Sequence, residues 1–160
     1  MLFISILCLG QILTGKVVGV TDGDTVTLLV GTTQKKIRLA EIDAPEKSQP
    51  FGNQSKIALS QKVFGKTVKA NVRATDRYGR SVAIITVDGR NINQEMVREG
   101  MAWRYVQYSS DPETASAEMQ ARASRTGIWS IPYSQPPWEY RSSKKKSTNF
   151  PKPTYSKKKK

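Results

Sequence analysis

The chain has 160 residues, with 26 lysines and arginines against 13 aspartates and glutamates, so it carries +13 at neutral pH; it holds one cysteine and no histidine. The missing histidine excludes histidine general acids, histidine nucleophile relays and histidine zinc sites, and a lone cysteine excludes a disulfide within one chain. Carboxylate, arginine, lysine and tyrosine chemistry remains, on a chain long enough for one domain with tails.

Residues 1–13, MLFISILCLGQIL, are apolar but shorter than the ~20 residues that a membrane-spanning helix needs. They read as the core of a secretory signal cleaved after Gly10, which would take Cys8 with it. The protein is therefore expected to be secreted or periplasmic, a monomer, and without stable membrane insertion. The basic residues that open such a signal are missing, which fits a start internal to a longer reading frame. An uncleaved short anchor and a first strand are the other readings.

Gly15–Val20 alternates weakly and reads as the first strand. It leads into Asp22-Gly23-Asp24-Thr25 and then two runs rich in branched apolar residues, Val26–Val30 and Ile37–Ile42. Gly31-Thr32-Thr33 supplies a tight reversal between them, so the runs should pair as an antiparallel hairpin. Such a hairpin sets Asp24, which opens its first strand, beside Asp43, which closes its second. A hard divalent cation is the simplest partner for two carboxylates placed that way.

The plain reading of an isolated aspartate pair is a turn and a strand exit. Arginines tip the balance toward a site. Arg38, inside a strand, needs solvent or an anionic partner, and Arg80 closes the polar turn Asp76-Arg77-Tyr78-Gly79-Arg80. With Glu46 these groups suit phosphodiester hydrolysis: a cation and arginines offset the phosphate's developing charge while a carboxylate orients or deprotonates water.

Residues 47–53, with Pro50 and Gly52, form a loop expected to be mobile beside these groups. A helix over Gln54–Phe64, capped by Asn53 and stopped by Gly65, should pack Ile57, Ala58 and Phe64 on the core. Thr67–Ala74 and Ser81–Val87 are the fourth and fifth strands, and five short strands with one intervening helix suit an OB-type barrel. Asn91 and Gln94 resemble a capping box that opens a helix to Glu99, with Ile92, Met96 and Val97 facing the barrel.

Residues 101–108 carry Trp103, Arg104, Tyr105 and Tyr108, able either to stack on a nucleobase or to pack between helices. Asp111-Pro112-Glu113 starts a third helix that should reach Arg125, with its alanines and Met119 packed on the barrel and Trp129 closing the domain edge. From Pro132 onward proline, serine and lysine dominate, and 132–160 reads as a disordered tail. Nine positive and no acidic residues fall in 141–160, leaving +4 on the remainder. Such a tail binds polyanions weakly and salt-sensitively, or simply keeps the chain soluble.

Three motifs in order, Asp22-Gly23-Asp24-Thr25, Arg38-Leu-Ala-Glu-Ile-Asp43-Ala-Pro-Glu46 and Asp76-Arg-Tyr-Gly-Arg80, together with Gly127-Ile128-Trp129, resemble the staphylococcal nuclease family from about Thr14 to Ser130. The resemblance implies an α+β fold, a five-stranded OB-fold barrel with three packed helices, in a domain over 14–131. It also implies a calcium-dependent nuclease that acts on DNA and RNA and leaves 3′-phosphates.

On the same resemblance Asp24 and Asp43 would ligate Ca2+ through their side chains and Ala44 through its backbone carbonyl. Glu46 would be the general base, Arg38 and Arg80 the phosphate clamps, and Asp22 a support behind the metal ligands. Tyr78 would contact the nucleotide, as would either Tyr105 or Tyr108, with Tyr105 the first choice. Residue 44 is alanine where the best-known members have threonine, which should tune a main-chain ligand without abolishing it. Two other readings stand beside this one: a barrel that binds nucleic acid without cutting it, and a protein whose lysine tail docks on anionic surfaces. They separate on whether activity follows the carboxylates or the lysines.

Overall fold

The structure is a computed structural model that describes residues 10–148. The elements run β1 (Ile12–Asp22), β2 (Thr25–Val30), β3 (Thr33–Leu39), β4 (Ile42–Asp43), α1 (Gly52–Val63), β5 (Thr67–Thr75), β6 (Ser81–Val87), β7 (Arg90–Asn91), α2 (Ile92–Arg98), β8 (Trp103–Arg104), α3 (Pro112–Ala123), a 3₁₀ turn (Gly127–Ser130) and α4 (Pro137–Thr148).

Five of these strands close a barrel. β1 pairs antiparallel with β2 and β5, β2 with β3, and β5 with β6; a parallel pairing of β3 with β6 completes the ring. The long β1 serves two neighbours because its first half faces β5 and its second half faces β2, with register shifts between Val17 and Gly19 and between Val20 and Asp22. Irregularities of that kind add twist and bend a strand around a small barrel. Alternate residues then point inward, and Val17, Val26, Leu28, Ile37, Leu39, Val68, Ala70, Ala83 and Ile85 fill the interior. Burying a leucine or isoleucine side chain of this set contributes about 1.5–3 kcal/mol.

The expected α+β barrel is therefore present, with four α-helices among the described residues instead of three. Its hairpin is tighter at the turn and shorter at the far end than the sequence implied. Val30 pairs with Thr33, leaving Gly31 and Thr32 as the reversal, and β3 stops at Leu39. At Glu41 the backbone turns left-handed, with φ of 66°, and Ile42–Asp43 leaves the hairpin to pair with Trp103–Arg104.

The helices hold the barrel's open side. α2 starts as expected, with the Asn91 side chain accepting from the Gln94 N–H, and it buries Ile92, Met96 and Val97. The Gln94 side chain turns away from Asn91 to donate to Asp111 and Glu113, tying α2 to the start of α3. Asp111 caps α3 as expected, and Ala117 and Ala121 are its close-packed face.

Three expectations fail, for the packed face of α1, for Met119 and for the tail. α1 spans Gly52–Val63 and buries Gly52, Ser55, Leu59 and Val63, while Ile57 and Phe64 are exposed. Ser55 belongs inside because its hydroxyl donates to the Met101 carbonyl at 2.6 Å. Met119 points to solvent, and Ile128 with Trp129 takes the closing role; Trp129 sits edge-on to Trp103 and under the Arg122 guanidinium. Residues 47–51 are a pair of hydrogen-bonded turns around buried Gln49, whose N–H donates to Glu46 O and whose carbonyl accepts from Gly52 N–H. Finally, the stretch expected to be a disordered tail contains α4. Residues 149–160, and residues 1–9 of the apolar leader, lie outside the described residues, while Ile12 and Leu13 already belong to β1 and pair with β5. Among the described residues no helix is long and apolar enough to cross a membrane.

Candidate active site

The site begins with a glycine. A Cβ at Gly23 would collide with the Ser55 hydroxyl and the Ala44 methyl, so only glycine lets the β1–β2 turn pass directly against α1 and the segment after β4. That close approach brings Asp24 to Asp43. Asp24 Oδ2 accepts the Ala44 N–H at 3.0 Å, and Oδ1 accepts the Thr25 hydroxyl at 2.9 Å. Asp22 Oδ1 in turn accepts the Asp24 N–H at 3.2 Å.

Arg38 lies between the two aspartates. Its Nη2 is 3.0 Å from Asp43 Oδ1 and 3.5 Å from Asp24 Oδ2, while Nη1 donates to the carbonyls of Leu39 and Ile42 at 3.2 Å each. The kink at Glu41 makes this possible, because it turns the Ile42 carbonyl and Asp43 back toward the end of β3. Asp24 is 7% exposed and Asp43 1%.

Burial sets the electrostatics. It pushes the Asp43 carboxyl above the ordinary carboxylate range, helped by the charge of Asp24 and opposed by Arg141 and Arg38. Asp22 is pushed up to about 6, first by burial and then by the neighbouring Asp24. A concentration of buried negative charge that raises its own pKa values calls for further positive charge.

Around this centre opens a cleft of about 810 Å³. Arg80, Tyr78, Tyr105, Tyr108 and Glu46 line it together with the two aspartates. Arg80 does not reach the aspartate pair: its Nε binds Asp76 Oδ2 at 2.7 Å. Asp76 also accepts the backbone N–H groups of Tyr78 and Arg80, which makes the turn rigid. Burial of Asp76 works against these donors, but the N–H and guanidinium of Arg80 and the N–H of Tyr78 hold its carboxyl below the usual range. The Tyr78 ring is exposed, with Arg77 and Arg80 4.8 Å and 5.6 Å from its centroid.

The geometry thus joins Asp22, Asp24, Arg38, Asp43 and Ala44 directly, brings Glu46 to them through Arg141, and places Arg80, Tyr78 and Tyr105 in the lining of the same cleft. Sequence reasoning missed Arg141, assigned to the tail. Its guanidinium takes Asp43 Oδ2 at 2.7 Å and Oδ1 at 3.3 Å, and Glu46 Oε1 at 2.8 Å. No local signal marks it, since its partners lie 95 and 98 residues earlier. Arg73 on β5 and Arg77 in the turn after it also line the cleft.

Among the described residues no three Asp, Glu, His or Cys side chains gather as a metal cluster. The donor chemistry nevertheless fits a hard cation. Asp24 and Asp43 offer only oxygen, both are buried, and two guanidiniums already supply the charge that this pair demands. Backbone carbonyls and water would complete the shell.

A closed five-stranded barrel with helices packed at its open side, and a cleft of paired carboxylates and arginines at its rim, is an OB-like α+β fold. Residues 36–131 match the family described as staphylococcal nuclease homologue, and the chain belongs to that family. It is 50% identical over 117 residues to an uncharacterized endonuclease of Haemophilus influenzae, covering 72% of this chain and 66% of that protein. It is 41% identical over 140 residues to Protein ParB of Escherichia coli, covering 81% and 79%, and 38% identical over 146 residues to a micrococcal nuclease of Shigella flexneri, covering 84% of each.

Proposed function

We propose that this chain is a calcium-dependent nuclease that hydrolyses phosphodiester bonds of DNA and RNA and leaves 3′-phosphates. The observation that carries the reading is the pair of buried carboxylates, Asp24 and Asp43, held on either side of one guanidinium at the rim of a cleft. Relatives named as nucleases and endonucleases support it.

Asp24 and Asp43, with the Ala44 carbonyl, would hold the cation, which when bound supplies Lewis acidity toward a phosphate oxygen. Arg38 faces the same space and donates to the phosphate, where fixed donors in a partly dry site offset the charge that grows as the phosphorus is attacked. Arg80, which lines the same cleft on the turn that Asp76 braces, would be the second phosphate clamp. Glu46 is the carboxylate at the mouth, where water has access, and it accepts the proton of the attacking water. Asp22 holds the Asp24 backbone in place. Tyr78 and Tyr105 offer ring faces to the bases on either side. The alanine at 44 leaves the main-chain donors intact, since its N–H is the one bound to Asp24. The wider setting we propose is a monomer acting outside the cytoplasm, as the apolar leader implies.

Incubating the full chain with single-stranded DNA and with RNA, in calcium chloride and in chelator, tests this reading. Cleavage in calcium alone, with products ending in 3′-phosphate, is expected. Tight binding with no cleavage under any divalent ion would leave a binding barrel in its place.

A further inference from the structure

α4 lies across the cleft, and its contacts there have a pattern. Trp138 and Arg141 are three residues apart and so share one face of the helix. The Trp138 ring lies on Tyr105 with centroids 5.3 Å apart and planes 2° from parallel, the geometry in which a nucleobase stacks on a tyrosine. Arg141 spreads both ends of its fork over Asp43 and Glu46, one of them a ligand and the other the base of the reaction above. A guanidinium placed there sits on a carboxylate that a cation would use, and it engages one oxygen of the carboxylate that would accept a proton.

The remaining contacts fasten the helix at its flank. The Tyr140 hydroxyl and Ser48 Oγ are 2.8 Å apart, Lys144 Nζ donates to Ser48 Oγ at 3.0 Å, and Gln49 Nε2 donates to the Gln135 carbonyl at 3.1 Å. None of these residues belongs to the apolar core. The Arg141 side chain is 40% exposed. Its pair with Glu46, exposed on both sides, contributes little net stability and yields to competing charge, and a divalent ion brings two charges to the buried Asp43 that Arg141 now covers. Because residues 131–136 tether α4 to the barrel, a released helix stays at high local concentration and can return.

We propose that α4 is an autoinhibitory strap, with Arg141 in the place of the cation and Trp138 in the place of a base, and that calcium and nucleic acid open it. The proposal rests on the nuclease reading for the identity of those two ligands. A third phosphate-holding arginine is the alternative role for Arg141; it gives Trp138 no part in calcium binding, so Trp138→Ala would then leave affinity for the ion unchanged.

The test uses the full chain and its Arg141→Ala and Trp138→Ala variants, titrated calorimetrically with calcium chloride in the absence of nucleic acid. Where only a minor open fraction binds the ion, apparent affinity falls in proportion to that fraction. Arg141→Ala is therefore expected to bind calcium roughly tenfold more tightly than the wild type. Trp138→Ala, which changes no charge, is expected to shift the same way by a smaller factor, separating strap release from a simple loss of positive charge. Hydrogen exchange on the wild type should show amides of 137–148 exchanging faster when calcium is added, with barrel amides protected in all three proteins. Wild-type calcium affinity in Trp138→Ala, or protection of α4 that saturating calcium leaves unchanged, would overturn the strap while leaving the nuclease reading in place. Failure of all three to bind calcium would overturn the strap and the metal assignment together.

Discussion

The barrel rim and α4 both send arginines to Asp43, and they are held there by different physics. Arg38 stands on β3, a strand paired on both sides and built over buried Ile37 and Leu39, and two backbone carbonyls fix its guanidinium. Arg141 stands on a helix held by an aromatic stack and a few polar contacts at the surface. A group fixed by a packed scaffold is pre-organised for chemistry; one held by surface contacts is placed to leave. The same side-chain type therefore carries opposite expectations at the two positions.

The sharpest way to break that comparison is at Glu46, which both accounts need. Glu46→Gln removes the proton acceptor and weakens the hold on Arg141 at once. Steady-state cleavage should fall by about a thousandfold even though the cleft becomes easier to enter. A variant that cleaves near the wild-type rate would remove Glu46 from catalysis.

Stability sharpens the contrast next. Leu28→Ala opens a cavity among fully buried neighbours and should cost about 2–5 kcal/mol in urea denaturation. Arg141→Ala should cost less than that, because its pair with Glu46 is half-exposed and the buried Asp43 keeps its pair with Arg38. Equal losses would mean that α4 is part of the cooperative fold.

A smaller effect is expected at Asp111, the cap of α3. The Thr114 hydroxyl, the Gln94 amide and the backbone N–H groups of Thr114 and Glu113 hold its carboxyl below the usual range. The folded value thus lies below the unfolded one, so its contribution is complete above about pH 3.9 and fades as pH falls through the folded value. Asp111→Ala should cost about 1 kcal/mol at neutral pH, and the two proteins should converge in acid. A constant difference at every pH would assign the loss to packing.

Much of the barrel was legible because its signals are local. Branched apolar runs mark β2, β3, β5 and β6, and Asn91 and Asp111 mark the starts of two helices. The site was legible for a similar reason: a hairpin returns its ends, so Asp24 and Asp43 could be brought together on paper. What escaped notice depends on distant partners. Ser55 is buried because it meets Met101 O and the Gly23 backbone, and counting apolar residues put Ile57 and Phe64 in its place. The break after Leu39 turns on a left-handed Glu41, with no glycine to announce it. α4 has the composition of a tail, and what docks it is one arginine and two aromatics whose partners lie far away in the chain.

The most direct test of the account sets Arg38→Ala beside Arg141→Ala in initial rates of single-stranded DNA cleavage at calcium concentrations below saturation. The account predicts opposite signs: a fall of about a hundredfold to a thousandfold for Arg38→Ala, and a several-fold rise for Arg141→Ala that fades as calcium saturates. Comparable losses in both variants would contradict it, because Arg141 would then belong to the machinery it is held to restrain.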